Sequence, residues 1–416
     1  MFGRILSRRA VIACAVFVYV ASGYVAQRSV SVGEDWLEWA DPDEIARIGD
    51  HLCAAGEFGF VPGQPSVLRA PAYPGAVALM CRLTGADTFS LLPIVNGLCH
   101  LLLLLVIASH PLMPTGPAGI ATIAAVGLDP LLLNYAGRGY LEPMLLAAVA
   151  LVVASIDRLV RHPTAANGLL LGLAWGASLL VKPILLYLAA PLVAVLVVVR
   201  RRAAWYAVGA FVIALAIATP WVLRNRAITG RFIPVVTGAW EIVVKGDAYS
   251  ENVLRSEGAV ELEGMAKARL AEIDRDNGVS GEPLHEREPL YRRYVITRIF
   301  EDPVALLQKM TVQSLTLWVL GGDHRKTFVF AALQLPVLLL VGFAIASSRS
   351  TRHRMVGFAT VAVYLWGAYA FSLAMARYSM PLRPWMVLIG IGFAAAHIQD
   401  HLRARRPSLV PVSTTQ

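Results

Sequence analysis

The chain has 416 residues, 57% of them hydrophobic and only 16% charged, with a mean hydropathy of +0.60. Soluble domains carry about 25% charged residues, so this composition excludes a water-soluble enzyme and demands long segments that never meet water. The net charge of +9, from 37 Lys and Arg against 28 Asp and Glu, would point to a nucleic-acid partner in a soluble protein; in a membrane protein it is the mark of cytoplasmic loops, and no nucleic-acid partner is expected.

The first apolar run follows Arg4, Arg8 and Arg9 and lacks a small-residue cleavage site, so it is read as a retained span rather than a removed leader. Further runs of bilayer-crossing length follow. In order, the expected spans are 10–27, 89–109, 117–135, 142–159, 166–182, 183–199, 204–222, 327–346, 355–375 and 380–398, about ten helices. With the N-terminus inside, the clusters Arg4/Arg8/Arg9, Arg158/Arg161, Arg200 to Arg202, Arg349/Arg352/Arg354 and Arg403/Arg405/Arg406 all fall on the cytoplasmic side. Both termini are then cytoplasmic.

Two polar segments fall outside by the same parity. The sequence thus predicts an all-α polytopic protein of the inner or plasma membrane in three parts. Residues 1–222 form a transmembrane module whose first external loop, 28–88, holds the candidate chemistry; 223–326 form a small external helical subdomain; 327–416 supply the last spans and a cytoplasmic tail. Within the subdomain, Glu257 to Arg298 reads as amphipathic helix interrupted at Asn277-Gly278 and Gly281. The apolar stretch 304–320 is expected to lie at or dip into the membrane, because a crossing there would put the later arginine clusters on the wrong side. The four cysteines have no metal-ligand spacing, and unpaired thiols are expected, although Cys53 and Cys81 share one external loop.

That loop carries Glu34, Asp35, Trp36, Glu38, Trp39, Asp41, Asp43 and Glu44. Asp41 reads as a helix N-cap, with Pro42 at the first helical position and Glu44 completing a capping box ahead of the apolar stripe Ile45, Ile48 and Leu52. A carboxylate so placed is kept ionised by the helix dipole. One oxygen can cap while the other faces a site, so cap and general base are compatible roles. Beyond it, Arg69 stands before Pro71 and Pro74, either at lipid headgroups or at a site. Glu142 begins an apolar helix beside Arg138 and Tyr140, as a dipole partner, an Arg138 partner or a catalytic acid. Lys182-Pro183 stands alone at a tight junction between spans, where lysine either snorkels or serves function. Arg224 follows Pro220-Trp221, and Arg377-Tyr378 precedes Pro381. Basic residues at four places on the outer face, Arg69, Lys182, Arg224 and Arg377, beside acids indicate an anion there, and a lipid phosphate is the natural one in a membrane.

In order along the chain, these motifs are an acidic first external loop, Arg69-Ala70-Pro71-Ala72-Tyr73-Pro74, Glu142 after a tyrosine, Lys182-Pro183, Pro220-Trp221 with Arg224-Asn225 and Gly230 to Phe232, and Arg377-Tyr378 with Pro381. On them the chain resembles the bacterial GT-C superfamily of polytopic glycosyltransferases, which includes protein O-mannosyltransferases and the aminoarabinose transferase that modifies lipid A. The resemblance covers most of the chain. It implies an enzyme that transfers a hexose or pentose, usually with inversion, from a polyprenyl- or dolichyl-phosphate donor to a glycan, lipid or protein acceptor on the extracytoplasmic side.

It further implies Asp41, Glu44 and Glu142 as catalytic carboxylates, and Arg69, Arg138, Lys182, Arg224, Arg377 and Tyr378 as the lipid-phosphate site. A divalent cation, Mg2+ or Mn2+, at Asp41 and Asp43 is an option rather than a requirement. Ile45 stands where the family has tyrosine, Pro42 replaces the neighbouring acid, and Leu68-Arg69 replaces a Glu-Lys pair of the aminoarabinose branch. A polytopic transporter or lipid-linked sugar flippase is the alternative, and a non-catalytic scaffold a third. Transporters place ionisable groups near span centres, whereas here they gather at span ends.

Overall fold

The structure is a computed structural model describing residues 8–30, 41–279, 281, 283–347 and 355–404. Glu34, Asp35, Trp36, Glu38, Trp39, Arg4, Arg349, Arg352, Arg354, Arg405 and Arg406 lie outside the described residues. In chain order the helices are α1 (Arg8–Val30), α2 (Ile45–Ala54), α3 (Ala72–Thr84), α4 (Thr88–Ser109), α5 (Gly116–Gly127), α6 (Pro130–Leu133), α7 (Glu142–Arg161), α8 (Ala165–Val181) and α9 (Ala189–Thr229). There follow α10 (Ala239–Asn252), α11 (Ala259–Asp276), α12 (Leu284–Glu301), α13 (Pro303–Val319), α14 (His324–Ser347), α15 (Val356–Phe371), α16 (Ala376–Ser379) and α17 (Arg383–Ala404). No strand occurs among the described residues.

Among the described residues, six segments are long and apolar enough to cross a bilayer: Arg8–Ser29, Thr88–Ser109, Gly116–Leu133, Glu142–Arg161, Pro183–Thr229 and His324–Ser347. Ala165–Val181 and Val356–Phe371 are shorter apolar helices. Exposed Phe17, Val198, Trp205, Phe328 and Leu339 give these helices an outer surface suited to lipid. The protein is therefore an integral membrane protein.

Helix starts follow local chemistry. The Asp87, Thr164 and Asp302 side chains accept from the backbone N–H of Ser90, Asn167 and Ala305 to cap α4, α8 and α13. The expected single helix 117–135 is instead two. Asp129 caps a second start at Leu131, with Pro130 at its first position, so the run breaks there. The two helices expected at 183–199 and 204–222 are both present within α9, which breaks at Arg200 (φ −160, ψ 84), but their outer ends differ: Pro183–Leu188 forms a 3-10 turn, and the second helix runs through Pro220 to Thr229. The last span starts at Arg383 rather than residue 380, because Met380–Leu382 is a 3-10 turn.

Helix α7 is the centre of the bundle. Leu145, Leu146, Ala147, Ala148, Val149 and Ala150 are buried in succession, so all its faces are covered, as expected of a helix surrounded by others. Helices α4, α8 and α15 pack on it. Gly168, Gly172 and Gly176 line one face of α8, where an added Cβ would meet Tyr206, Ile213 and Ile217 of α9 at 3.2, 2.8 and 2.7 Å. Small residues four apart thus let two membrane helices approach closely. The Trp175 indole of α8 donates to the Leu185 carbonyl at 2.9 Å and fixes the hairpin that presents Lys182.

At one end of α7, Asp157 lies 3.2 Å from the His110 ring and accepts from the Gly357 N–H at 2.6 Å. Glu142 occupies the other end. On that second side α2 and α3 pack together, and Cys53 and Cys81 form a disulfide. This overturns the expectation of unpaired thiols for Cys53 and Cys81, while Cys14 and Cys99 are free. Folding of α2 against α3 brings the two cysteines to a Cα separation of 6.2 Å, a proximity that sequence spacing does not encode. Arg82 also donates to the Leu52 and Cys53 carbonyls.

Closing a loop of 28 residues restricts the unfolded chain by about 3–4 kcal/mol. The Cys53→Ala/Cys81→Ala double variant is therefore expected to unfold several degrees below the oxidised wild type in a detergent thermal melt. An unchanged midpoint would show that the bridge does not stabilise the α2–α3 unit.

Candidate active site

The charged groups meet where α7 begins, α8 ends and the segment after α15 returns. Glu142 lies in the first turn of α7 and is 1% exposed. An acid there is favoured by the helix N-terminus, but its burial requires a cation. Arg377 of α16 supplies it, donating to both Glu142 oxygens. The same guanidinium reaches the Asp43 carboxylate at 2.5 Å and lies 4.2 Å from the Tyr140 ring centroid. Arg69 donates from Nε to the Asp43 carbonyl at 3.0 Å. Arg138 flanks Tyr140, 5.7 Å from its ring centroid.

Tyr378 stacks on Tyr369 with centroids 5.0 Å apart and planes within 4°. The Lys182 ammonium sits 4.6 Å from the Tyr378 centroid and 5.7 Å from that of Tyr369. It is held by ring faces and forms no ion pair among the described residues. The structure thus brings together Asp43, Glu142, Arg69, Arg138, Lys182, Arg377 and Tyr378.

The acids of the first loop separate into three environments. Asp41 is 6% exposed, and both its oxygens accept backbone N–H groups, Oδ1 from Ile45 at 2.7 Å and Oδ2 from Arg47 at 3.0 Å. The expectation that one oxygen caps while the other is left for a site gives way to a cap using both. The helix begins later than expected because the Glu44 N–H turns back onto the Asp41 carbonyl at 2.9 Å. Glu44 becomes the residue at the helix start, in left-handed backbone at φ 52, and completes no capping box. Its carboxylate is exposed and pairs with Arg47 at 2.9 Å, away from the Arg377 cluster.

Burial pushes the Asp41 carboxyl up to about 6, against the lowering effect of the Ala46, Arg47 and Ile45 amides. Burial also works to raise Asp43, but Arg377, Arg69 and Lys182 outweigh it and hold that carboxyl below its usual range. Two neighbouring acids are driven apart in proton affinity. Such separation is how a site assigns different roles to like groups.

Arg224 does not join the cluster. Its guanidinium donates to the Ser66 carbonyl at 2.5 Å and the Phe58 carbonyl at 3.1 Å, and packs 4.5 Å from the Trp221 ring centroid. It pins the loop between α2 and α3 to α9. Of the pair expected to offer a cation site, Asp41 accepts one amide N–H on each oxygen and Asp43 pairs with Arg377. Among the described residues no group of three His, Cys, Asp or Glu could hold a metal ion.

Sequence reasoning passed over three residues that build this site. Asn96, buried inside α4, donates to the Tyr135, Ala136 and Arg138 carbonyls at 3.2, 3.0 and 3.0 Å and accepts from the Tyr73 hydroxyl at 2.6 Å. Gln313 of α13 accepts from the Ala374 N–H at 2.6 Å and donates to the Gly246 carbonyl at 2.8 Å, anchoring the segment that carries Arg377. Tyr369 supplies the second ring beneath Lys182. The available signal for the two amides was a polar side chain inside an apolar helix.

No protein-family model matches the chain, and no curated protein matches it. Among solved structures it is similar to ArnT from Cupriavidus metallidurans bound to undecaprenyl phosphate, at 18% identity over 91% of this chain and 77% of that one, with a TM-score of 0.38.

Arg224→Ala is expected to release the loop it pins. Each lost hydrogen bond from a charged donor is worth about 1.5–3 kcal/mol, so amide exchange across residues 58–66 should accelerate by at least about tenfold. Protection equal to wild type would show that the loop holds without Arg224.

Proposed function

We propose that this protein is a membrane glycosyltransferase that moves a sugar from a polyprenyl-phosphate donor to an acceptor on the extracytoplasmic face. The observation that carries the reading is the convergence of cations at one end of the bundle among the described residues. Arg69, Arg138, Lys182 and Arg377 converge there, while Asp43 and Glu142 are the carboxylates that meet Arg377 directly. Asp41, the third acid, is offset by the helix amides it caps. A phosphate is the anion that such donors accept best, and its diester or monoester on a long prenyl chain is how a membrane presents it.

The side of the membrane follows from chain direction. Arg8, Arg9, Arg158 and Arg161 lie at helix ends opposite the site, and Arg200 to Arg202 at the break within α9, the arrangement expected of cytoplasmic arginines. With about ten crossings, both termini are cytoplasmic. The Cys53–Cys81 disulfide is on the same side as the site, where an oxidising compartment would preserve it.

In the transfer, an acceptor hydroxyl oxygen forms a bond to the anomeric carbon as the bond from that carbon to the lipid-phosphate oxygen breaks. The bonding pair leaves on the phosphate, which Lys182, Arg69 and Arg138 stabilise. Fixed donors aimed at growing charge are commonly the largest catalytic contribution. Asp41 takes the hydroxyl proton: each carboxylate oxygen keeps a lone pair beyond its amide bond, and a carboxyl near 6 exchanges protons readily at neutral pH. Asp43 and Glu142 hold Arg377 in place. The step as written uses no metal.

Asp41→Asn should insert normally in membranes and lower transfer from a radiolabelled polyprenyl-phosphate sugar by about 10²–10⁴-fold. Because only the ionised carboxylate is a base, wild-type transfer should rise as pH climbs through about 6 and lose this limb in Asp41→Asn. Near-normal transfer by that variant, with the pH limb lost instead in Asp43→Asn, would move the base to Asp43. Lys182→Met should weaken retention of polyprenyl phosphate, and equal retention by wild type and variant would count against the phosphate assignment.

A further inference from the structure

A cavity of about 420 Å³ lies between α10, α12 and α13, with Phe371 at the end of α15 forming part of its wall. Its volume is within the ~300–1,000 Å³ range of ligand pockets. The floor is charged. Lys309, 4% exposed, donates to Asp247 and to the Val243 carbonyl, both at 2.8 Å. Arg298 pairs with Glu251, approaches Asp247 at 4.0 Å and donates to the Tyr294 hydroxyl at 3.0 Å. Asp302, also on the wall, caps α13 at Ala305. Val295 and Ile299 of α12 and Phe371 provide apolar surface opposite.

This lining differs in kind from the Arg377 cluster. Each cation already has its carboxylate, and three carboxylates face two cations, so the cavity does not call for an anion. A wholly apolar guest would strand the ion pairs without water. A neutral guest rich in hydroxyls fits both halves: the carboxylates retain acceptor lone pairs, Arg298 retains N–H donors beyond those it uses, and aliphatic and aromatic walls suit the C–H faces of a sugar ring.

The cavity is also tied to the cluster. Phe371 borders it, and Arg377 follows six residues later along a segment that spans at most about 20 Å when extended. The carbonyl of Ser372 lies so close to Gly246 of α10 that a Cβ there would stand 1.6 Å from it. Only glycine permits this approach, and Gln313 bonds both sides of it.

We infer that this cavity binds neutral sugar residues of a glycan acceptor, holding the non-reacting part of the chain while its reacting hydroxyl lies at the Arg377 cluster. The acceptor role rests on the transferase reading above; the affinity for neutral glycans does not.

The test uses the full-length protein in lipid nanodiscs, exposed to an array of neutral and anionic oligosaccharides, with undecaprenyl-phosphate binding measured in parallel. Wild type is expected to retain neutral oligosaccharides. Ser250→Trp, which fills the cavity, and Glu251→Gln, which keeps its shape but removes an acceptor charge, should each weaken that binding at least tenfold and leave undecaprenyl-phosphate binding unchanged. Retention of anionic glycans alone, or neutral binding untouched by both variants, would overturn the inference. A phospholipid co-purifying with wild type and lost from Ser250→Trp would overturn it in favour of a lipid headgroup. Neutral-glycan binding that depends on Ser250, in a protein that fails to bind undecaprenyl phosphate, supports the cavity and counts against the transferase reading.

Discussion

The arrangement depends on one buried contact, the Arg377 guanidinium between Glu142 and Asp43. It joins segments 235 and 334 residues apart. Removing an ion from water costs several kcal/mol even after relaxation, so Glu142, buried at the head of the central helix, is tolerable only with a cation in place. That requirement determines where the segment after α15 must return, and hence where Tyr378 stacks and where Lys182 finds its rings.

The surrounding structure serves to hold that contact. Gln313 and Leu320 accept the Ala374 and Ala376 N–H groups and fix the approach of Arg377. Asn96 gathers three carbonyls of the loop leading to Glu142. Asp129 and Arg383, both buried and 2.8 Å apart, lock the start of α17. Neutral amides dominate this framework near the apolar phase, where they satisfy backbone groups without the desolvation cost of another charge.

Charges of one sign thus have two different uses. Arg224 spends its donors on loop carbonyls and shapes the first loop, whereas Lys182 keeps its ammonium over aromatic faces without a carboxylate partner among the described residues. A cation held by tyrosines remains able to receive an incoming anion. The carboxylates divide likewise: Asp43 is bound to guanidinium charge, Glu44 is left to solvent, and Asp41 is buried against amides that only partly compensate it.

Much of the helical framework was legible in the sequence, because apolar run length is a local signal. Local patterns also marked Glu142, Lys182 and Arg377 as anomalous, since each is a charge at the edge of an apolar helix. They did not reveal that Arg377 pairs with Asp43, that Arg224 is spent on a loop, that Asp41 caps with both oxygens, or that Cys53 meets Cys81. The sequence by itself determined a lipid-embedded helical chain and marked the unusual charges at the ends of its apolar helices. Only the tertiary structure decided which of those charges neutralise one another, because ion pairing is settled by contact and desolvation between segments hundreds of residues apart, and neither leaves a periodic trace along the chain.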